Sequence, residues 1–346
     1  MPEEKKLREP GPDVVRALAI LMVLMIHVCA GGLNLTPGSG DWWGAMLWGS
    51  LARPAVPLFF MCSGAMMLDR DIPLKRLYGH NFLRILVAML CWAFAYRVWG
   101  LLSGGLTLGN LWYAVKATLT LQHEFHFYFL HILLLVYAFV PVVRVFVRSA
   151  SRRETEYLLL VWFITGILFP LLRYFWPFRL VYTMTTNWYV MNMAYSSIGY
   201  CVLGWYLRKH GKTIRAGWYW SALAVGFILV FGGTALMSLR EGAFSSVFME
   251  GMSPGPLLMA AGIMGLVLRR ERWPEKLHRF TGRLAQASFC IYLVHIMVLR
   301  LVVRLGMSTT ALPILAAPAI VVILTAVGWA IYEILSRIPI VNKWLV

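Results

Sequence analysis

Ten runs of mostly apolar residues alternate with short polar connections, at about 14–35, 42–68, 82–103, 127–147, 157–176, 188–207, 217–238, 252–268, 284–304 and 311–336. A hydrocarbon core about 30 Å thick needs about 20 apolar residues in a helix. Each run therefore predicts a transmembrane helix. The runs lack the alternation, about ten residues per strand, of a membrane barrel. The pattern predicts an all-α, polytopic membrane helix bundle, one domain over residues 1–346, with 1–12 as a cytoplasmic N-terminal segment. The connections leave no room for a soluble domain. The longest on the outer side, about 104–126, is expected to be re-entrant or to cover a site. No repeat of fixed period is visible.

Composition agrees with this. Hydrophobic residues make up 60% of the 346 and charged residues only 14%, against about 25% charged in a soluble domain. That excludes a disordered chain. The net charge of +17, from 32 Lys and Arg against 15 Asp and Glu, would suggest nucleic acid if the charges were scattered. They are not. With the N-terminus inside, the basic clusters fall on one side. They are Lys5 to Arg16, Arg70 to Arg84, Arg144 to Arg153, Arg208 to Arg215, Arg269 to Arg283, and Arg337 with Lys343. This is the positive-inside asymmetry; it explains the charge without nucleic acid and puts both termini in the cytoplasm. The first run is too long for a signal-peptide core and has no small-residue cleavage site. Trp42, Trp43, Trp176, Trp188, Trp218, Trp220 and Trp344 lie near the ends of runs, as interfacial anchors do. Five scattered cysteines without CxxC or Cys/His spacing exclude a disulfide scaffold and argue against a structural zinc site.

Charged groups at membrane depth cost at least about 2.5–3.5 kcal/mol on insertion scales, so each is a candidate for function. In the first run Arg16 and His27 are eleven residues apart. That is about three turns, so they share a face about 16 Å apart along the axis. Asp13 is within pairing distance of Arg16. Arg16 is expected near the cytoplasmic surface and His27 deep, although a snorkelling arginine and a packed histidine explain the two equally well. Arg53 falls near the midplane of the second run, paired or beside an anion, with no carboxylate standing out as its partner. Pro54 and Pro57 follow and are expected to bend that helix; Ser63-Gly64 allows close helix packing. In the ninth run Tyr292 and His295 share a face near the midplane, as a packing pair or as site residues. The stretch His123-Glu124-Phe125-His126-Phe127-Tyr128 opens the fourth run. Its spacing is not a zinc motif. Glu124, His126 and Tyr128 instead suggest a hydrogen-bonding lip for a polar substrate, with aromatic rings to stack on a sugar face.

The ordered set is D-x-x-R-x10-H in the first helix, R-P-x-V-P-L-F-F-x-x-S-G in the second, H-F-Y-F-L in the fourth and Y-L-V-H in the ninth. It resembles the membrane-bound acyltransferase-3 family over most of the chain. Within the family it is most similar to the single-domain branch that acetylates enterobacterial common antigen. The resemblance implies a multi-pass protein of the bacterial inner membrane that moves an acyl group, acetyl foremost, from acyl-CoA on the cytoplasmic side. The acceptor it implies is a hydroxyl of a cell-surface glycan or of its lipid-linked precursor. It implies no bound cofactor and no metal, and partners limited to acyl-CoA, the glycan acceptor and membrane lipids. His27 matches the family's proposed catalytic histidine and Arg16 its proposed CoA-binding arginine. Many relatives carry R-x-x-R where the third helix begins; here Arg84 matches the second position and Asn81 stands at the first.

Chemically, CoA phosphates suit guanidinium forks, and Arg16, Lys75, Arg76 and Arg84 are the expected CoA mouth. A thioester about 16 Å deeper would meet His27, acting as general base or as a transient acyl carrier. Arg53 would stabilise developing negative charge, and Tyr292 or His295 would orient a substrate. The competing reading is a secondary transporter for an anionic solute, with Arg53 and His27 as its midplane site; a scaffold that keeps only the fold is a third.

Overall fold

A computed structural model describes residues 9–102, 105–178 and 186–346. Lys5, Lys6 and Arg8 of the expected N-terminal segment, and residue 104 at the start of the long outer connection, lie outside the described residues.

Among the described residues all regular structure is helical. Helix α1 (Pro10–Leu33) starts on a proline and has Asp13 in its first turn. The first amides of a helix have no intrahelical acceptor, so proline costs nothing there, and an acid suits the positive end. Helices α2 (Gly40–Leu51) and α3 (Ala55–Met67) form one span broken at residues 52–54. Pro54 and Pro57 lack the N–H groups that would carry the helix through, and Arg53 sits in the break. Helix α4 (Leu74–Leu101) contains a π-helical stretch, Leu77–Phe82.

The outer connection forms a short helix, α5 (Leu108–Leu119), capped by Thr107. It buries Ala114, Ala117 and Thr118 and exposes Leu108, Trp112 and Leu119. No residue of α5 lines the cavities described below, whereas His126, at the end of the same connection, does. The connection leads into α6 (Phe125–Ser149). Then come α7 (Arg152–Leu172), α8 (Met193–His210), α9 (Ala216–Glu241), α10 (Pro254–Arg269), α11 (Glu275–Arg304), α12 (Pro313–Leu335) and the short α13 (Pro339–Trp344).

Nine helices among the described residues are long and apolar enough to span a membrane. The tenth expected segment is α8, which has the length but not the hydropathy. The reason lies in its position: Ser196, Ser197, Tyr200 and Trp205 are buried inside the protein. A helix shielded from lipid can be polar when its groups are bonded, and the Trp162 indole donates to the Ser196 carbonyl at 2.7 Å. Helix α8 touches α3 backbone to backbone. A Cβ at Gly64 would fall 1.9 Å from the Cys201 carbonyl oxygen, and one at Gly204 2.0 Å from that of Met61. Small residues allow this approach, and membrane helices use it widely.

One face gathers the basic clusters and their ion pairs: Arg148–Asp71 at 2.7 Å, Arg208–Glu9 at 2.7 Å and Lys212–Glu271 at 2.6 Å. The hydrogen bond from Arg148 holds the Asp71 carboxyl below the usual carboxylate range. Both ends of the described chain reach this face. Arg84 donates to the Val346 carbonyl, and Val346 shares a cavity with Arg16. Of the expected interfacial tryptophans, Trp188, Trp176, Trp218 and Trp220 are exposed, but Trp42 is fully buried. It packs with Leu33, Met46 and Val230 in a small second core, because α2 presents that side to α1 and α9.

Candidate active site

Three spaces lie in series through the bundle. The first is a cavity of about 530 Å³ near the basic face. Arg16 of α1 and Arg84 and Asn81 of α4 line it, with Gln286 and Ser288 of α11. Asn81 lies in the π-helical stretch, a feature that tends to mark functional sites. Its Oδ1 is 3.1 Å from His80 Nδ1. The Arg84 guanidinium also lies over the Phe289 ring, 5.6 Å from its centroid. Lys75 and Arg76 are not in this cavity. They are exposed on the first turn of α4, where the chain turns outward before the helix enters the bundle. Of the four cations expected at a CoA mouth, Arg16 and Arg84 line this cavity and Lys75 and Arg76 do not.

The second space is a chamber of about 50 Å³ at His27. Phe59, Phe129 and Tyr292 wall both the chamber and the basic-face cavity. Three histidines converge here from distant parts of the chain. The His27 ring lies 4.9 Å from that of His295 and 6.4 Å from that of His126, and the last two are 5.1 Å apart, between centroids. His126 and His295 are buried, at 1% and 0% exposure. His295 Nδ1 is 2.5 Å from the Tyr292 carbonyl oxygen. A carbonyl only accepts, so Nδ1 carries the hydrogen and the neutral ring keeps its lone pair on Nε2. That Nε2 is buried and has no hydrogen-bond partner among the described residues; the same holds for both ring nitrogens of His126. The Tyr292 hydroxyl donates to the His126 carbonyl and ties α11 to the start of α6.

The sequence put Glu124, His126 and Tyr128 together on a lip. The structure separates them. A single 3₁₀ turn, Phe125–Phe127, points His126 inward against His27. Glu124 stays at the surface and pairs with Arg300 at 2.7 Å. Tyr128 walls the His27 chamber on one side and a third space on the other. His123 stacks on His131, with Nδ1 3.1 Å from Nε2. Among the described residues no group of His, Cys, Asp and Glu is arranged to hold a metal ion.

The third space, about 660 Å³, opens away from the basic face. Arg53 and Tyr128 line its inner end; Arg173, Asn187, Glu250 and several methionines line the rest. Arg53 thus faces this cavity, yet remains close enough to interact electrostatically with His27. Sequence reading missed Arg173, at the end of the fifth apolar run, and Asn187 and Glu250, in short connections, because no motif marks them. It also missed Tyr96, whose hydroxyl donates to the Leu293 carbonyl at 3.0 Å and whose ring lies 5.4 Å from that of His126. A tyrosine in an apolar run gives no distinguishing signal.

The arrangement offers cations toward the basic face, an unpartnered imidazole beside His27 at the centre, and a polar, loop-built space beyond. No curated protein and no solved structure gives a significant match to the chain. A family model described as an acyltransferase domain matches residues 9–333. That is nearly the whole chain, and it includes His27, Arg53, His126 and His295; the protein belongs to the acyltransferase-3 family and is a membrane acyltransferase.

Proposed function

We propose that the protein is an O-acyltransferase of the bacterial inner membrane. It moves an acetyl group from acetyl-CoA on the cytoplasmic side to a hydroxyl of a cell-surface glycan or its lipid-linked precursor. The observation that carries this reading is the placing of the His27 chamber. It shares walls with a cation-lined cavity on the basic face and, through Tyr128, with a second cavity on the far face. Donor and acceptor could then approach from opposite sides and meet at one imidazole. The basic face is the cytoplasmic one by the positive-inside rule. The chamber's volume favours a small acyl group: about 50 Å³ admits only a few water-sized groups.

In the reaction, Arg16 and Arg84 hold the anionic end of CoA, and the pantetheine arm passes Phe59 and Phe129 so that the thioester lies in the chamber. The acceptor oxygen bonds to the thioester carbonyl carbon, the C–S bond breaks, and the hydroxyl proton passes by way of His27 to the CoA sulfur. A variant of the same chemistry forms an acyl-imidazole on His27 first. His295 Nε2, with its free lone pair, is suited to accept a hydrogen bond from His27 and fix its tautomer. Arg53 favours negative charge developing nearby. The test is acetyl-CoA calorimetry on detergent-purified wild type and Arg16→Ala, followed by acetyl transfer with wild type and His27→Ala. Saturable binding weakened by Arg16→Ala supports the reading. Absence of binding by folded protein, to acetyl-CoA and to free CoA alike, refutes it. The transporter alternative would show proteoliposome flux without acyl transfer, and family membership weighs against it.

A further inference from the structure

The far-face cavity carries a charge that the protein leaves unanswered. Two other arginines in this chain find backbone partners for their terminal nitrogens, although the Nε of Arg144, like that of Arg84, is also buried without a partner among the described residues. Arg144 donates to the carbonyls of Ile72 and Met67, and Arg208 to that of Ala65. The Arg53 side chain forms no hydrogen bond and no ion pair among the described residues, and its Nε is buried without a partner. Its electrostatic neighbours are His27, the Cys29 thiol and the Tyr128 hydroxyl; no carboxylate is among them. The carboxylate that does line the cavity, Glu250, has Arg173 and not Arg53 as its electrostatic neighbour. A guanidinium at membrane depth is retained when something compensates it. Its planar fork matches a carboxylate or a phosphate.

We propose that the far-face cavity binds an acceptor carrying an anionic group, a carboxylate or a phosphate, close to the hydroxyl that is acylated, and that Arg53 recognises that anion. The acylated hydroxyl rests on the acyltransferase reading above; the anion does not. The closeness follows from Tyr128, which stands beside Arg53 in this cavity and also walls the His27 chamber. An anion held by Arg53 is therefore on the reacting sugar or its immediate neighbour. A volume of about 660 Å³ is within the usual range for a small-ligand site. A neutral glycan would leave the charge uncompensated.

The experiment uses the full chain in detergent and three probes: methyl glucuronide, glucose 1-phosphate and methyl glucoside. Binding is measured by calorimetry for wild type, Arg53→Gln and Arg53→Lys, with acetyl-CoA binding as an independent report of folding. At least one anionic probe is expected to bind about tenfold or more tightly than the neutral glucoside, since a charge-assisted pair is worth more than 1.4 kcal/mol, or tenfold. Which anionic probe wins separates carboxylate from phosphate. Arg53→Gln should erase the preference and Arg53→Lys should keep part of it. Should Arg53→Gln lose acetyl-CoA binding, the wild-type preference and Arg53→Lys decide the matter. Equal binding of all three probes, preference for the glucoside, binding of none, or a preference unchanged in Arg53→Gln overturns the proposal. Anion preference without any acetyl transfer would keep the anion site and overturn the acyltransferase reading instead.

Discussion

The two large cavities are built differently. The basic-face cavity is lined almost wholly by helix residues from α1, α3, α4, α6 and α11, and one of its arginines, Arg84, is anchored on the Val346 carbonyl. The far-face cavity is lined mostly by residues between helices, among them Arg173, Asn187, Asn192 and Glu250, and the Arg53 side chain at its inner end has no hydrogen-bond anchor among the described residues. Helix-borne sites are rigid, whereas loops vary freely on a fixed scaffold. A helical slot suits a ligand that never changes, such as CoA. A loop-built space suits acceptors that differ from one relative to the next. The His27 chamber is the fixed point between them.

The largest test of this division removes the fixed point. His27→Ala is expected to lower acetyl transfer about 100-fold or more, the range for loss of a general base, while acetyl-CoA affinity in calorimetry stays within about twofold. A comparable loss of affinity would mean that His27 belongs to the donor cavity rather than between the two. Next comes the frame. Gly64→Ala places a Cβ 1.9 Å from the Cys201 carbonyl oxygen, a backbone atom that cannot step aside. Overpacking of this kind costs about 1–3 kcal/mol, seen as a lower melting temperature in detergent. Gly79→Ala, where a Cβ meets nothing within 4 Å, serves as its control.

Arg16→Ala should raise the acetyl-CoA Kd about tenfold, the worth of one charge-assisted contact, and leave binding of acceptor probes unchanged. If acceptor binding falls in parallel, the two cavities are coupled and the contrast between them fails. The smallest effect is at the basic face. Arg148 depresses the Asp71 pKa, so the pair's contribution to stability is present above the unfolded carboxyl pKa of about 3.9 and fades as pH falls through the lower folded value. Asp71→Asn should therefore melt slightly below wild type at pH 7. The gap should close in melts run below the carboxylate range. Both groups are well exposed, so the shift is small. A gap that persists in strong acid would assign the effect to something other than this pair.

Much of the centre was legible in the sequence. Arg16 and His27 share a helix, and helical period alone put them on one face at different depths. Tyr292 and His295 were paired by the same rule. Arg53 stood out because charge is rare at membrane depth. His126 was legible as a residue but not as a position: one 3₁₀ turn decides whether it faces solvent or His27, and that turn is set by the Tyr292 hydroxyl from a helix 166 residues away. Lys75 and Arg76 were grouped with Arg84 by proximity along the chain, which says nothing about which way the first turn of a helix leans. The run that became α8 looked like any other span, and only its neighbours reveal how much of it is buried inside the bundle.

The sequence by itself determined the membrane, the helices, the side that faces the basic clusters and the family. Each of these is written in local hydropathy, charge count or motif spacing, quantities that survive without knowing which helices touch. Tertiary structure alone decided that His27, His126 and His295 form one cluster, that two cavities abut it, and that the Arg53 side chain has no hydrogen-bond partner among the described residues. Those facts depend on contacts between segments far apart in the chain, and side-chain partners at such separations leave no periodic trace along it.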